Sequence, residues 1–357
     1  MPSLKPRKLR IAFIGTGNIS SRHIFAYSQI PSVEIVAGCD IKPDRCEWFR
    51  RQPGCAAART YLDYREMLSC EKLDIVDVCT PNGVHHPATI AALLAGSHVM
   101  VEKPMAMTPA ECEEMIAVAR KNGRLLSVGF QVRYSPAVQM CKRAIDEGML
   151  GDILYVKVHA MRRRGIPNWG VFGRKELQGG GPLIDLGIHQ IESAHYVMGE
   201  PRPVAASGNT WTFMGDRKSQ VLSKWPGWDY RTYTVEDLAA GQIRFENGMI
   251  MQVESSFCSH LAEDSSYWEI MGTKGAFDSR RTTVFTDLAG TMVNSQAAFL
   301  PTYNYPHDVL CKLQNFVSAV LSGTALCVTG EEGLAVQKMI DALYRSAAAN
   351  GAEVRIQ

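Results

Sequence analysis

Residues 10–20 read Arg10-Ile11-Ala12-Phe13-Ile14-Gly15-Thr16-Gly17-Asn18-Ile19-Ser20. A short apolar run stops at a glycine, and from Ile19 to about Ile30 apolar residues return at helical spacing. A dinucleotide-binding loop needs its first glycine, here Gly15, for the tight turn, and its second, Gly17, so that backbone can approach a pyrophosphate. The third position wants a small residue so that helix and strand pack closely, and Ser20 meets this loosely. The opening helix turn, with Asn18 and Ile19, adds unpaired amides and a positive dipole end. Taken alone the pattern also fits an incidental turn. Its position between the first strand and the first helix favours a phosphate cradle.

Working outward, short apolar runs at 33–39, 74–79, 98–101 and 125–129, with a weak strand around 60–61, alternate with helical patterns at 43–51, 64–69, 88–95 and 109–122. Apolar strands that alternate strictly with helices predict a parallel sheet covered on both faces, a doubly wound α/β (Rossmann) domain. Asp40 closes the second strand near the ~20-residue offset expected of a ribose-binding acid. A carboxylate there accepts ribose hydroxyls and repels a 2′-phosphate, and Ile41 brings no compensating charge. Lys42 and Arg45 are the residues able to offset that repulsion, so the balance favours NAD over NADP.

Beyond Arg133 the rhythm changes to strand-like runs at 153–159, 203–213, 239–245, 249–257 and 267–271, with turn signals such as Glu246-Asn247-Gly248. Helices are expected from about Pro306 to Leu321 and from Glu331 to Asn350. The chain of 357 residues therefore divides into a dinucleotide-binding domain at 1–130 and an α+β domain at 131–357. With 38 basic and 36 acidic residues, charge offers no argument for nucleic acid or an anionic membrane, and the cluster Arg162-Arg163-Arg164 with Trp169 does not change that. No apolar stretch is long enough for a secretion signal or a membrane span. Ten scattered cysteines, with neither Cys-x-x-Cys nor metal-ligand spacing, predict free thiols in the cytoplasm and no metal site.

Two further constellations carry chemistry. Lys103, in Val101-Glu102-Lys103-Pro104, ends the fifth strand, where parallel-sheet ligands bind. An ammonium partly desolvated beside a nicotinium ring should titrate nearer neutrality, although position alone also allows a lysine pointing at water. In Gly179-Gly180-Gly181-Pro182-Leu183-Ile184-Asp185-Leu186-Gly187-Ile188-His189, a glycine-rich turn opens a helix with Asp185 and His189 four apart on one face. A carboxylate and an imidazole so placed suit acid–base work on a hydroxyl.

Together these pieces resemble the Gfo/Idh/MocA oxidoreductases, the glucose–fructose oxidoreductase and inositol dehydrogenase relatives. The resemblance rests on Gly15-Thr16-Gly17-Asn18-Ile19, Asp40-Ile41, Thr80-Pro81-Asn82 with His85, Glu102-Lys103-Pro104, Gly129-Phe130-Gln131-Val132-Arg133-Tyr134, Asp185 with His189, and the closing Thr329-Gly330-Glu331-Glu332-Gly333. It implies a Rossmann domain followed by a domain with a large, mostly antiparallel open sheet, through which such chains pair as homodimers or homotetramers. It also implies cofactor contacts at Thr80, Pro81, Asn82, His85, Glu102, Lys103 and Gln131. Lys103, Asp185 and His189 would be the catalytic set, His189 being the proton acceptor. Substrate contacts are expected from these three with Arg133, Arg162 and Trp169, although the 162–169 loop equally suits a subunit contact. The irregular stretch 212–233 reads as a lid or part of a subunit interface.

The expected activity is hydride transfer between NAD and a secondary hydroxyl of a sugar, sugar derivative or cyclitol. Near-neutral charge agrees with an uncharged substrate. Two other readings stand beside it: NAD-dependent glycoside cleavage by transient C3 oxidation and elimination, and a non-catalytic NAD sensor.

Overall fold

The computed structural model describes residues 7–301 and 307–357. Residues 1–6 and the expected helix start at Pro306 lie outside them. Two compact units emerge, one of residues 7–106, 110–131 and 307–333, the other of 107–109, 132–301 and 334–357.

The first unit is the expected doubly wound sheet. Strands β1 (Leu9–Ile14), β2 (Val33–Cys39), β3 (Arg59–Tyr61), β4 (Ile75–Val78), β5 (His98–Val101) and β6 (Leu126–Val128) run parallel in the order β3-β2-β1-β4-β5-β6. Helices α1 (Asn18–Ser28), α2 (Pro43–Arg50), α3 (Tyr64–Cys70), α4 (Asn82–Leu94) and α5 (Pro109–Lys121) alternate with the strands. Strand order reverses between β1 and β4, so the loops after those strands flank the crevice where such sheets bind ligands. Helix α4 starts six residues before the expected 88–95 segment and carries Pro87 inside it. A proline there forfeits one backbone bond, but His85 anchors the first turn, its Nε2 lying 2.9 Å from Thr80 O.

The same unit recruits the helix His307–Ser322, whose Val309, Leu313, Phe316 and Val317 are buried with Ile11, Phe13, Ile24 and Tyr27. Each such side chain contributes about 1.5–3 kcal/mol by leaving water.

The second unit begins with α6 (Pro136–Asp146), capped by Ser135, a helix the sequence reading did not separate from its surroundings. Then come β7 (Ile153–Met161), α7 (Lys175–Gln178), a π-helical turn (Leu183–Gly187), α8 (Ile188–Val197), β8 (Pro203–Trp211), β9 (Leu238–Phe245), β10 (Ile250–Ser256) and β11 (Ser265–Gly272). Three short strands joined as successive hairpins follow, β12 (Gly275–Asp278), β13 (Thr283–Leu288) and β14 (Thr291–Gln296). Helix α9 is the His307–Ser322 segment of the first unit; α10 (Gly330–Ala348) and β15 (Val354–Arg355) end the chain. A reciprocal capping box opens α10: Thr329 Oγ1 accepts Glu332 N–H while the Glu332 carboxylate accepts Thr329 N–H.

These strands form one nine-stranded sheet, ordered β14-β13-β12-β11-β7-β10-β9-β8-β15 and antiparallel except for β7–β10. Along β7, Val156, Val158 and Ala160 are buried while Tyr155, Lys157 and His159 are half-exposed. The buried face packs on α8, where Trp268 Nε1 donates to Ser193 Oγ at 3.0 Å. The other face carries the half-exposed residues.

Candidate active site

The glycine loop is shaped by sterics. Gly15 adopts φ +89°, and a Cβ there would lie 2.7 Å from Cys79 O. Gly17, the N-cap of α1, is different: a Cβ would meet nothing within 4 Å, and no side chain caps the helix. The first turn of α1 thus carries no side-chain cap, and a phosphate can take that place. Asp40 accepts from Thr16 N (3.0 Å), Thr16 Oγ1 (3.2 Å) and Lys42 N (3.0 Å), which ties the loop to the end of β2. Arg45 is occupied as well, donating to Thr16 O (2.9 Å) with its guanidinium 4.2 Å above Trp48. Ile41 is exposed. Beside the crevice, Thr80 Oγ1 and Gln131 Oε1 are buried polar atoms with no hydrogen-bond partner among the described residues. An uncapped helix start, an anchored acid and two unsatisfied buried oxygens fit a dinucleotide, whose hydroxyls and amide supply donors.

Lys103 stands at the carboxyl end of β5, half-buried. Its neighbour Glu102 turns the other way. Glu102 Oε1 meets His23 Nε2 at 2.9 Å and Lys312 Nζ at 2.8 Å, while Oε2 accepts Lys103 N–H at 3.2 Å. His23 Nδ1 reaches Asp77 at 2.8 Å. Burial alone would raise the Glu102 pKa, but Lys312 and His23 hold it well below the usual carboxylate range. Burial works against the His23 imidazolium too, yet Asp77 and Glu102 leave its pKa raised. Gly129 leaves room for this cluster, since a Cβ there would lie 2.5 Å from Glu102 Oε1. Glu102 is thus a strut beneath Lys103, with its carboxylate in the domain interior.

Among the described residues, His23, Asp77 and Cys79 bring ligand-type atoms within 4.8 Å of one another. The Cys79 thiol donates to Asp77 at 3.2 Å, and burial followed by Asp77 pushes its pKa well up. Lys312 already supplies positive charge to the cluster. The thiol is thus held in its protonated form, and with Lys312 already beside the carboxylates the arrangement is that of a hydrogen-bond network.

His85 spans two carbonyls, Nδ1 to Pro104 O at 2.7 Å and Nε2 to Thr80 O at 2.9 Å. Burial lowers its pKa, and a neutral ring can donate to only one of them. It thereby pins the chain on both sides of the crevice: Thr80, Pro81 and Asn82 follow β4, and Pro104 follows Lys103.

Asp185 lies in the π-helical turn and His189 in the first turn of α8. Ile188 N–H reaches back five residues to Leu183 O, so the turn holds one residue more than an α-helix would. Such bulges frequently mark functional sites. A buried acid that the sequence did not single out holds this turn. Glu236 accepts Gly181 N–H at 2.8 Å, Leu183 N–H at 3.2 Å and Tyr344 O–H at 2.8 Å. Burial raises its pKa, against the pull of those donors. The glycines are needed for closeness: a Cβ on Gly180 would lie 2.0 Å from Tyr344 Oη, and one on Gly181 2.2 Å from Glu236 O.

Arg162, leaving β7, donates to Gly165 O at 3.2 Å and stands 5.1 Å from the Trp225 ring. Burial lowers its pKa while the Asp185 carboxylate raises it, so the two share one electrostatic environment. Trp169 is exposed. Arg133 is 1% exposed, paired with Glu192 and, at 2.9 Å, Glu200, and stacked 4.5 Å over Tyr196. Its guanidinium is committed to holding α8.

Residues 9–130 match the model of an oxidoreductase family with an NAD-binding Rossmann fold, and residues 142–356 match that family's C-terminal alpha/beta domain. The chain is 36% identical over 342 residues to D-glucoside 3-dehydrogenase of Escherichia coli (strain K12), covering 95% of each. It is 28% identical to myo-inositol 2-dehydrogenase of Thermotoga maritima, covering 91% of this chain and 92% of that one. Among solved structures, aldose-aldose oxidoreductase of Caulobacter crescentus with glycerol superposes with a TM-score of 0.80 at 28% identity, over 98% of this chain and all of that one. Levoglucosan dehydrogenase with NADH and levoglucosan gives 0.84 at 25% identity, with the same coverage. With both of its domains matched and its glycine loop, Lys103 strand end and Asp185–His189 turn in place, the chain belongs to the Gfo/Idh/MocA family of NAD-binding oxidoreductases.

Proposed function

We propose that the protein is an NAD-dependent dehydrogenase that oxidises the C3 hydroxyl of a D-glucoside to the ketone. The observation that carries it is the Asp185–His189 turn, shaped by a π-bulge and clamped by the buried Glu236. The 36% identity with a glucoside 3-dehydrogenase across 95% of both chains supports the substrate class.

Gly15, Gly17 and the first turn of α1 would hold the pyrophosphate, Asp40 the adenosine ribose, and Thr80, Pro81, Asn82, His85 and Gln131 would line the nicotinamide half. When bound, NAD supplies the hydride acceptor. His189 takes the proton of the C3 hydroxyl as hydride departs from the same carbon, so alcohol becomes ketone, proton and hydride. Lys103 donates a hydrogen bond to that oxygen and stabilises the negative charge that develops on it. Asp185 orients the imidazole or an adjacent hydroxyl.

Lys103→Ala and His189→Ala should each lower kcat/KM by about 10²–10⁴-fold while NAD binding, followed by fluorescence titration, is retained. Undiminished turnover by either variant would remove that residue from the mechanism. NADH formation with methyl β-D-glucoside supports the dehydrogenase; aglycone release without net NADH would instead mark redox-neutral cleavage. A second copy of the chain covers the half-exposed sheet face, giving a homodimer or homotetramer. A reducing, cytoplasmic setting suits the cysteines: burial pushes the Cys39 and Cys55 thiols up to about 12. No described helix is long and apolar enough to cross a membrane.

A further inference from the structure

The stretch between Trp211 and Leu238 has no regular secondary structure, yet it is stitched down along its length. At its root Asp237, fully buried, accepts Phe213 N–H and Met214 N–H at 2.6 Å and Gly215 N–H at 3.0 Å. Further along, Trp228 Nε1 donates to Gly215 O at 2.9 Å. The loop after β7 is its other anchor. Asn168 Nδ2 donates to Pro226 O at 2.8 Å, Lys224 N–H to Arg164 O at 2.9 Å and Thr234 N–H to Gly173 O at 2.8 Å. Underneath lies a small apolar core of Ile166, Tyr233, Val235, Phe257 and Cys258, with Leu186, the residue after Asp185, packed against it.

This stitching brings two indoles together at the surface. Trp169 and Trp225 lie 4.8 Å apart with their planes at 88°, and Phe172 braces Trp169 from 5.9 Å. Arg162 stands 5.1 Å from Trp225 and shares the field of Asp185. Trp169 nevertheless stays 39% exposed. Rigid aromatic rings left in water beside a candidate reaction centre are a feature of ligand sites, because an amphipathic ring meets them at little entropic cost.

We propose that Trp169 and Trp225 form an aromatic corner that receives the aglycone, or second sugar ring, of the substrate, making the enzyme selective for intact glycosides over free monosaccharides. The proposal rests on the D-glucoside reading above. The C–H face of a second sugar, or an aryl group, stacks on one indole and meets the other edge-on. Arg162 donates to hydroxyls between the corner and Asp185.

The test compares phenyl β-D-glucoside with methyl β-D-glucoside as substrates, with NAD, in wild type, Trp169→Ala, Trp225→Ala and Trp169→Phe. In wild type the phenyl glucoside should have the higher kcat/KM. Each alanine variant should reduce the phenyl-to-methyl ratio about 10-fold, chiefly through KM, and Trp169→Phe should keep it within about twofold. An unchanged ratio in both alanine variants overturns the aromatic corner. An alanine variant too unstable to assay leaves Trp169→Phe to decide, since loss of preference with a ring still present also overturns it. Wild-type oxidation of myo-inositol but of no glucoside overturns instead the substrate reading on which the corner depends.

Discussion

Gly15 and Gly17 are the same residue type two positions apart and do different work. A methyl on Gly15 collides with Cys79 O at a positive φ, so Gly15→Ala costs folding. A methyl on Gly17 meets no protein atom, and its φ of −77° suits any residue. Gly17→Ala should therefore leave the melting temperature of the ligand-free protein within about 1 °C and raise KM for NAD at least about 10-fold, because the methyl stands where the pyrophosphate approaches. Equal KM values would place the phosphates elsewhere. His23 offers a second measurement. Its folded-state pKa lies above the unfolded value of 6.5, so its contribution is complete below that pH and disappears as pH rises through the folded value. The groups facing it are Asp77, Cys79, Glu102 and Lys312. Urea unfolding should show stability falling on the alkaline side of pH 6.5, with a shallower slope in His23→Gln. Identical slopes would mean that His23 does not titrate in that window. Lys103, Asp40 and the two glycines were legible because their motifs have fixed offsets from strand ends. Lys312 left a fainter trace. It shares the buried face of α9 with Val309, Leu313 and Phe316, and a lysine on an apolar stripe demands an acid partner. Only the fold reveals that the partner is Glu102.

Elements differ in how much of themselves they announce. Of the parallel strands, β1, β4, β5 and β6 were readable because each is a largely apolar run buried over most of its length, and α10 because Thr329 and Glu332 spell its capping box. Strands β12–β14 were not: they are four to six residues long, and burial fades from Phe277 and Val284 to an exposed β14, with little of the alternation that betrays a strand. The π-bulge was equally hidden, for nothing in Leu183 to Gly187 distinguishes i+5 from i+4 bonding. Glu236, its clamp, sits 55 residues from Gly181, beyond any local pattern. That clamp can be tested. Gly181→Ala places a methyl 2.2 Å from Glu236 O, a backbone atom with little freedom to yield, so the turn must move. A shift of about 1 Å at Asp185 and His189 is worth roughly 10²-fold in kcat. NAD affinity should persist, because the cofactor loop belongs to the other unit. Glu236→Ala should lower unfolding free energy by about 1–3 kcal/mol by orphaning two amides, as read by denaturant titration. Loss of NAD affinity in Gly181→Ala would show that the variant had damaged more than the turn.

At the scale of the molecule, the nine-stranded sheet offers a surface on which self-association can be tested. A sheet this wide has one face buried by its helices, while the other presents Tyr155, Ile250 and Met271 in register across β7, β10 and β11. The next row on that face is Gln252, Lys157 and Glu269, and beyond it come Glu254, His159 and Tyr267, with His159 and Tyr267 stacked at 4.8 Å. Apolar and oppositely charged groups therefore alternate on one patch, which a two-fold axis can set against itself: the same surface supplies both sides of an isologous contact. A stable pair needs about 1,600 Å² of buried surface in total. Light scattering after gel filtration should accordingly give twice or four times the 39.5 kDa of the chain. Ile250→Arg combined with Met271→Arg puts like charges opposite each other across the two-fold, and should shift the protein toward monomer at micromolar concentration with its far-ultraviolet spectrum unchanged. A wild-type monomer at that concentration would leave this face to another partner, and a mutant that stays oligomeric would move the interface elsewhere.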